Sequence, residues 1–294
     1  MRLATYRHGN SQRVGVVANG SVRPLERVGT ERPLTTMLDV IQAFDQVRGH
    51  PETVVGGSPI PLSGVELLAP LPRPARNIMC VGKNYREHAE EFDRSGFNAT
   101  ATGTVPEAPV VFTKPPETVT GHGAEIRLPR EVTEALDYEA ELAVVIGRGG
   151  RGISREEAHR HIFGYTIVND VTARDLQARH SQWFLGKALD SSCPMGPWIV
   201  TADEIDAAAL RVRCWVNEEL RQDADTSDLV FDISTLVETI SAGTTLLPGD
   251  VIATGTPAGV GAGFSPPRFL TGGDIVRIEI SGIGTLTNPV VETE

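Results

Sequence analysis

Short apolar stretches separated by glycine- and proline-containing turns recur along most of this chain of 294 residues. Those predicted to be strands are VVFT, LAVVIG, GYTIVND, PWIV, LRVRCWVN, DVIATG and DIVRIEI. Because strands dominate and the helical patterns are short, we expect a mainly β fold with short helices (α+β). A mixed roll or sandwich fits this pattern better than a doubly wound parallel sheet.

The first 70 residues are predicted to form a small N-terminal α/β domain. RLATY and RVGVVANG have strand patterns, and Asn19-Gly20 is typical of a hairpin turn. The stretch TTMLDVIQAFDQV places apolar residues at helical spacing behind a threonine cap, namely Met37, Leu38, Ile41, Phe44 and Val47. The prolines of PLPRPAR then interrupt regular structure. We therefore predict one domain at 1–70 and a larger one at 71–294.

The strand LDYEAELAVVIG carries a row of acids, Asp137, Glu139 and Glu141. Strand alternation points all three to one side and separates the two glutamates by about 6.6 Å. At an effective dielectric constant near 20, two such charges repel by about 2 kcal/mol. Beside so apolar a flank, either one acid is protonated or a cation lies between them. The competing interpretation is the solvent-exposed face of an edge strand.

A second apolar strand, GYTIVND, ends at Asp170, again an acid at the tip of a hydrophobic run. Three carboxylates together with water molecules suit octahedral Mg²⁺ or Mn²⁺. Zinc prefers histidine or cysteine ligands, which this pattern does not offer.

Charge and targeting signals narrow the class of protein. The net charge of −11 argues against a general nucleic-acid or membrane-surface binder, which needs a basic face. No apolar run approaches the roughly 20 residues that span a bilayer. The N-terminal MRLATYRHGN lacks the apolar core of a signal peptide. We therefore predict a cytoplasmic protein.

Lysine is scarce, because Lys83, Lys114 and Lys187 are the only lysines among 27 basic residues. Genome composition explains the general scarcity. A lysine retained where arginine is otherwise preferred is nevertheless a candidate for a role that needs a compact charge. Three cysteines without CxxC spacing predict neither a disulfide framework nor a zinc site.

An ordered series of seven motifs resembles the fumarylacetoacetate hydrolase family. In chain order they are VGKNYREHAEE, ALDYEAELAVVIG, FGYTIVNDVTARDLQ, WFLGKALDSSCPMGPWIV, LRQDADTSDLVFD, LLPGDVIATGTPAGVG and GIGTLTN. The resemblance extends from about residue 70 to the C-terminus. It implies a mixed β-roll, usually a homodimer, with a divalent metal ion at its centre. The first 70 residues resemble the variable small domain that many members carry.

By motif position the resemblance also implies roles for nine residues. These are the metal ligands Glu139, Glu141 and Asp170; the catalytic residues His88, Glu91 and Lys187; and the substrate-binding residues Arg174, Gln177 and Thr256. The implied metal is Mg²⁺ or Mn²⁺, with Ca²⁺ as a substitute in crystals. The resemblance places the His–Glu pair on a lid, where it activates water in hydrolytic members.

The residues themselves support some of these roles and leave others open. His88 and Glu91 share one face of a helix, and a carboxylate beside an imidazole fixes its tautomer and raises its basicity. The competing interpretation is a solvated helix histidine. Arg174 has a competing interpretation too, an ion pair with Asp175. Lys83 and Lys114 either serve the site or only line its entrance, and the polar stretch 94–108 is predicted to be a mobile lid loop.

The implied activity is hydrolysis of the C–C bond of an acylpyruvate or related β-diketo 2-oxo acid through a metal-stabilised enolate. The same enolate chemistry supports an isomerase of the 2-hydroxyhepta-2,4-dienedioate type or an oxaloacetate-type decarboxylase. In this family such reactions often serve the breakdown of aromatic compounds. A non-catalytic, metal-dependent binding protein is a further alternative, which the intact His88, Glu91 and Lys187 disfavour. The expected partners are a small 2-oxo acid and a second copy of the chain, without nucleic acid or membrane.

Overall fold

The computed structural model describes residues 1–26, 33–43, 56–97 and 105–293. Strands predominate over helices, as the sequence pattern predicts. The strands are β1 Arg2–His8, β2 Ser11–Ala18, β3 Ser21–Pro24, β4 Ile60–Pro61, β5 Glu66–Leu67, β6 Ile78–Gly82, β7 Val110–Lys114, β8 Val119–Thr120, β9 Ile126–Pro129, β10 Leu136–Asp137, β11 Ala140–Ile146, β12 Ile162–Asn169, β13 Thr172–Ala173, β14 Cys193–Thr201, β15 Arg211–Val216, β16 Glu219–Asp225, β17 Val251–Ala253, β18 Ile275–Ile280 and β19 Gly284–Thr293.

The helices in the described residues are short. They are α1 Met37–Gln42, α2 Arg86–Arg94, α3 Arg174–Arg179, α4 Phe184–Lys187 and α5 Ile233–Gly243. Thr36 caps α1 by accepting a hydrogen bond from the backbone of Asp39, which confirms the predicted threonine cap. Phe44 and Val47, the last residues of the predicted helical pattern, lie outside the described residues. None of the described helices has both the length and the apolar character needed to cross a lipid bilayer.

The described strands form one large mixed sheet and two smaller ones. The large sheet runs β4-β3-β2-β1-β14-β12-β11-β17-β6-β7, with β5 added to β1 and β8 to β14. The predicted hairpin turn is confirmed, because Asn19 and Gly20 both have positive φ between β2 and β3. Strand β1 pairs with β14, so the N-terminal strands continue the sheet of the larger unit. A domain division at residue 70 stays a prediction.

Strand β11 lies in the middle of the large sheet and is buried on both faces. Its Leu142 and Val144 pack into one apolar cluster with Ile278 of the five-stranded sheet β16-β15-β18-β19-β9. The alternate residues Ala143 and Val145 pack into a second cluster on the opposite face. The strand that carries the acids is therefore a central strand, and each of the seven strands predicted from the sequence is present.

Candidate active site

The pairing of β11 with β12 brings the predicted metal ligands together. Ala140 at the start of β11 lies opposite Asn169 at the end of β12. Asp170, the next residue, donates its backbone N–H to the carbonyl oxygen of Glu139 at 2.9 Å. One carboxylate oxygen from each of Glu139, Glu141 and Asp170 lies within 4.8 Å of the others.

Burial excludes the solvent-exposed interpretation of these acids. Glu139 is 4% exposed, Glu141 is 1% exposed and Asp170 is fully buried. The cause is the central position of β11 in the sheet, with packed side chains on both faces. The three carboxylates therefore need compensation from inside the protein.

Two buried lysines supply part of that compensation. Lys187 Nζ lies 2.9 Å from Glu139 Oε2 and 2.8 Å from Asp170 Oδ2. Lys114 Nζ lies 2.9 Å from Asp170 Oδ1, although without the angle of a hydrogen bond. Lys114 also donates to the carbonyl oxygen of Val171 at 2.9 Å. Asp170 thus lies between two ammonium groups.

The two glutamates differ in their ionisation. Burial opposes the charge of Glu139, but the positive charges of Lys187 and Arg174 outweigh it and lower the pKa of Glu139 to about 2. Burial raises the pKa of Glu141 well above its usual value, and the neighbouring charges of Asp170 and Glu139 raise it further. A full set of charged carboxylates at this point therefore requires another cation.

The donor set fits a divalent ion that prefers oxygen. Three carboxylates converge there, and Asp170 Oδ1 accepts no hydrogen bond from a described residue. Mg²⁺ and Mn²⁺ bind such oxygens and retain water in their remaining positions. Glu139, Glu141 and Asp170 are the residues that would hold the ion.

Asp137 does not belong to this set, so the predicted row of acids on one face is wrong at its first member. The chain leaves regular extended structure between β10, which ends at Asp137, and β11, which begins at Ala140, so the alternation breaks there. The Asp137 carboxylate instead accepts backbone hydrogen bonds from Gly261 at 2.7 Å and Ala262 at 3.0 Å. It also lies 2.9 Å from Arg174 Nε.

Arg174, at the start of α3, forms a buried network of polar contacts. The sequence alone did not decide between a substrate-binding role for Arg174 and an ion pair with Asp175. Its Nη1 lies 2.6 Å from Glu139 Oε1 and donates to Gln177 Oε1 at 3.2 Å. The competing pair with Asp175 is wrong, because the Asp175 carboxylate accepts from Thr133 Oγ1 at 2.6 Å. Arg174 Nη2 is buried and has no hydrogen-bond partner among the described residues. Arg174 and Gln177 both line the cavity.

His88 and Glu91 lie on α2, which covers the site, and their side chains face each other. His88 Nδ1 is 3.4 Å from Glu91 Oε2. His88 is only 4% exposed, so the solvated-histidine interpretation is wrong. Both oxygens of Glu91 accept from the backbone N–H of Gly259, at 3.0 and 3.1 Å. A Cβ atom on Gly263 would lie 2.0 Å from Glu91 Oε1, so the loop 259–263 fixes the carboxylate closely.

These elements enclose a small cavity of about 20 Å³. Seven of the nine predicted residues line it, namely His88, Glu139, Glu141, Arg174, Gln177, Lys187 and Thr256. The other two do not line it but contact residues that do, Glu91 through His88 and Asp170 through Lys187. Thr256 Oγ1 accepts a hydrogen bond from Gln222 Nε2 at 2.8 Å. Of the predicted lid loop 94–108, residues 98–104 lie outside the described residues.

The sequence reasoning missed the role of Asp137 and left both Lys83 and Lys114 undecided. Lys83 lines the cavity, Lys114 contacts Asp170, and both side chains are buried. The available signal was lysine scarcity, because all three lysines of the chain are at this site. For Asp137 the signal was its position at the beginning of the acidic row, where strand alternation had not yet begun.

Nearly the whole chain is similar to known protein families. Residues 77–291 match the family described as fumarylacetoacetate (FAA) hydrolase, C-terminal, and residues 1–70 match Rv2993c-like, N-terminal. Oxaloacetate tautomerase YisK of Bacillus subtilis (strain 168) is 54% identical over 241 residues, which cover 82% of this chain and 78% of the relative.

Two solved structures also align with the whole chain. Fumarylacetoacetate hydrolase from the psychrophile Exiguobacterium antarcticum is 42% identical with a TM-score of 0.84, and each chain is fully covered. Maleylpyruvate hydrolase from Sphingobium sp. SYK-6, solved with manganese(II) and pyruvate, is 33% identical with a TM-score of 0.80 and full coverage of both chains. A shared fold, a matching family domain and this degree of identity lead to one conclusion: the chain belongs to the fumarylacetoacetate hydrolase family.

Proposed function

We propose that the protein is a divalent-metal-dependent enzyme that interconverts the keto and enol forms of a short 2-oxo dicarboxylic acid of the oxaloacetate type. The observation that carries the proposal is the pair formed by Glu91 and the buried His88, because His88 lines the same small cavity as Glu139 and Glu141 of the carboxylate triad. Keto–enol conversion moves one proton and requires no second reactant. The 54% identity to a named oxaloacetate tautomerase supports this choice.

The charges of the site support an anionic substrate. Asp137, Glu139, Glu141 and Asp170 oppose the cations Arg174, Lys114 and Lys187. With all seven groups ionised, the cluster carries one net negative charge. A divalent ion changes this to one net positive charge, which a substrate carboxylate neutralises. When bound, such an ion polarises a 2-oxo group as a Lewis acid.

The protein side chains then have separate tasks. Arg174 Nη2, which is buried and has no hydrogen-bond partner in the described part of the chain, donates a hydrogen bond to the 1-carboxylate of the substrate. Lys187 places positive charge where the enol oxygen gains negative charge.

His88 is the proton carrier. Because Nδ1 faces Glu91, Nε2 is the nitrogen that takes a proton from one position of the substrate and returns it to the other. Ketone formation removes the proton of the enol hydroxyl and adds a proton at C3, so the reaction is balanced without a further reactant.

The test follows the ultraviolet absorbance of enol-oxaloacetate in the presence of Mg²⁺. We expect the wild-type protein to accelerate its decay, EDTA to abolish the effect, and His88→Gln to slow it by about 10²–10⁴-fold. Lys187→Met is expected to lose turnover as well. Decay no faster than in Mg²⁺ buffer alone would refute the proposal. Pyruvate is measured in parallel, because its release would identify a decarboxylase.

A second candidate is hydrolysis of the C–C bond of an acylpyruvate. It is favoured by the 42% identity and TM-score of 0.84 to a fumarylacetoacetate hydrolase, and a His–Glu pair is also suited to activating water. Acetylpyruvate with Mg²⁺ separates the two candidates, because hydrolysis removes the diketone absorbance and yields acetate and pyruvate. Cleavage of acetylpyruvate without acceleration of enol-oxaloacetate decay would replace the first candidate by the second.

A further inference from the structure

Lys83 is the one lysine at the site that the proposed chemistry does not use. Lys114 and Lys187 both contact Asp170. Lys83 lines the same cavity as His88 and Phe92, but its Nζ lies 2.9 Å from Asp93 in the last turn of α2. Its side chain is only 6% exposed, although lysine ordinarily extends into solvent.

The backbone of Lys83 is held in an unfavourable conformation. Its φ is +56°, in the left-handed region that costs an ordinary residue about 1–2 kcal/mol and that glycine adopts freely. Residues in such conformations persist where the surrounding structure imposes them, and they cluster at ligand sites. Here the conformation lies between β6 and α2, and Lys83 is one of the residues that line the cavity.

The net charge of the site indicates which kind of ligand the ammonium group of Lys83 binds. Resting on the proposed function, the metal-loaded cluster of the seven counted groups has one net positive charge, which the first carboxylate of the substrate neutralises. A dicarboxylic 2-oxo acid brings a second carboxylate, which needs a further cation. Among the cations that line the cavity, Arg174 and Lys187 contact Glu139. Lys83, within the described part of the chain, forms its ion pair with Asp93.

We propose that Lys83 binds the distal carboxylate of a dicarboxylic 2-oxo acid and thereby selects it over a monocarboxylic analogue. Asp93 is an exchangeable partner, because its side chain is 15% exposed and water solvates its carboxylate when the lysine turns to the ligand. The ion pair keeps the ammonium group ordered before binding. Asp170, which is fully buried, has no such access to solvent.

The test compares two ligands that share a four-carbon skeleton, oxaloacetate and 2-oxobutyrate, in which a methyl group replaces the distal carboxylate. Calorimetric titration with Mg²⁺ gives both affinities for the wild type and for Lys83→Met. We expect the variant to bind oxaloacetate about tenfold or more weakly, whereas its affinity for 2-oxobutyrate stays within about twofold. Lys83→Arg, which keeps the charge, retains the preference, and Asp93→Asn retains or increases it.

A purely structural role for Lys83 predicts a different result. If the ion pair with Asp93 only docks α2, Lys83→Met and Asp93→Asn weaken both ligands alike, and that result would overturn the proposal. An unchanged preference for oxaloacetate in Lys83→Met would overturn it as well. If Lys83→Met does not fold, Lys83→Gln takes its place, with folding checked by thermal unfolding.

Binding without turnover separates this inference from the proposed function. A wild-type protein that prefers oxaloacetate through Lys83 but does not accelerate decay of its enol supports the inference and refutes the tautomerase. A wild-type protein that accelerates the decay but binds both ligands equally refutes the inference and leaves the tautomerase standing.

Discussion

The carboxylate of Asp137 lies 2.9 Å from Arg174 Nε, and the two side chains join separate parts of the site. On one side, Arg174 contacts Glu139, a predicted metal ligand, at 2.6 Å. On the other side, Asp137 accepts backbone hydrogen bonds from the loop that contains Gly261. The same loop holds Glu91 through Gly259. A continuous chain of polar contacts therefore connects the predicted metal ligand Glu139 to the His88–Glu91 pair.

Asp137→Ala is expected to lower the free energy of unfolding by about 3–5 kcal/mol, because it leaves the buried guanidinium of Arg174 without one of its two acids. Denaturant unfolding with EDTA measures the change. Glu279→Gln is the control, since Glu279 and Arg277 form an exposed pair at 3.9 Å, and we expect a change within about 0.5 kcal/mol. Equal stability of the two variants would contradict the assigned network.

Glu141→Gln is expected to stabilise the metal-free protein at pH values above the pKa of an unfolded glutamic acid. Burial and the charges of Asp170 and Glu139 raise the pKa of Glu141, so the native state holds a proton that the unfolded chain has released. Native stability is therefore lost as the pH rises from the pKa of an unfolded glutamic acid towards the higher pKa of Glu141 in the native state. Each unit of pKa shift corresponds to about 1.4 kcal/mol, and the variant avoids that loss.

Added Mg²⁺ should make the wild type more stable than the Glu141→Gln variant. The wild type gains binding free energy from the ion, whereas Glu141→Gln has lost one carboxylate ligand. Thermal unfolding at pH 8, with EDTA and with Mg²⁺, measures both effects. Glu292→Gln, a change at an exposed partner of Arg130, serves as the control and should show no reversal. Equal stabilisation of wild type and Glu141→Gln by Mg²⁺ would exclude Glu141 as a ligand.

Gly263→Ala is expected to impair catalysis more than folding. Its new Cβ atom would lie 2.0 Å from Glu91 Oε1, so the carboxylate must leave its position beside His88. We expect kcat to fall by about 10²-fold, with a destabilisation of about 1–3 kcal/mol. The readouts are enol-oxaloacetate kinetics and denaturant unfolding.

Gly243→Ala is the matched control for that change. Gly243 ends α5 and has open space around its Cβ position, so alanine there should leave kcat unchanged and stabilise the protein by up to about 1 kcal/mol. If Gly263→Ala keeps wild-type kcat, the contact with Glu91 has no catalytic consequence.

The convergence of the metal ligands was predictable because it depends on local pattern and simple pairing. Glu139 and Glu141 begin one apolar strand, Asp170 ends another, and antiparallel pairing places these ends together. The side-chain partners were not predictable in the same way. Lys114 reaches Asp170 from β7, which lies at the other end of a run of strands through β6 and β17. Such a contact depends on the strand order of the whole sheet, which no local spacing encodes.

Homodimer formation, cytoplasmic location and the roles of the nine site residues stay predictions. The geometry brings seven of those nine residues to one cavity, and the kinetic and binding experiments on His88, Glu141 and Lys83 test their roles.

Strand β11, which is buried on both faces, and the segment that carries Lys83, His88 and Glu91 are two separate parts of the site. Glu141 lies in β11, whose alternate residues pack into two apolar clusters, whereas Lys83, His88 and Glu91 belong to a single short segment of the chain. We therefore expect substitutions in that segment to change which acid is accepted, while Glu139, Glu141 and Asp170 keep their arrangement. Shared chemistry with diverse substrates is the expected outcome of such a construction.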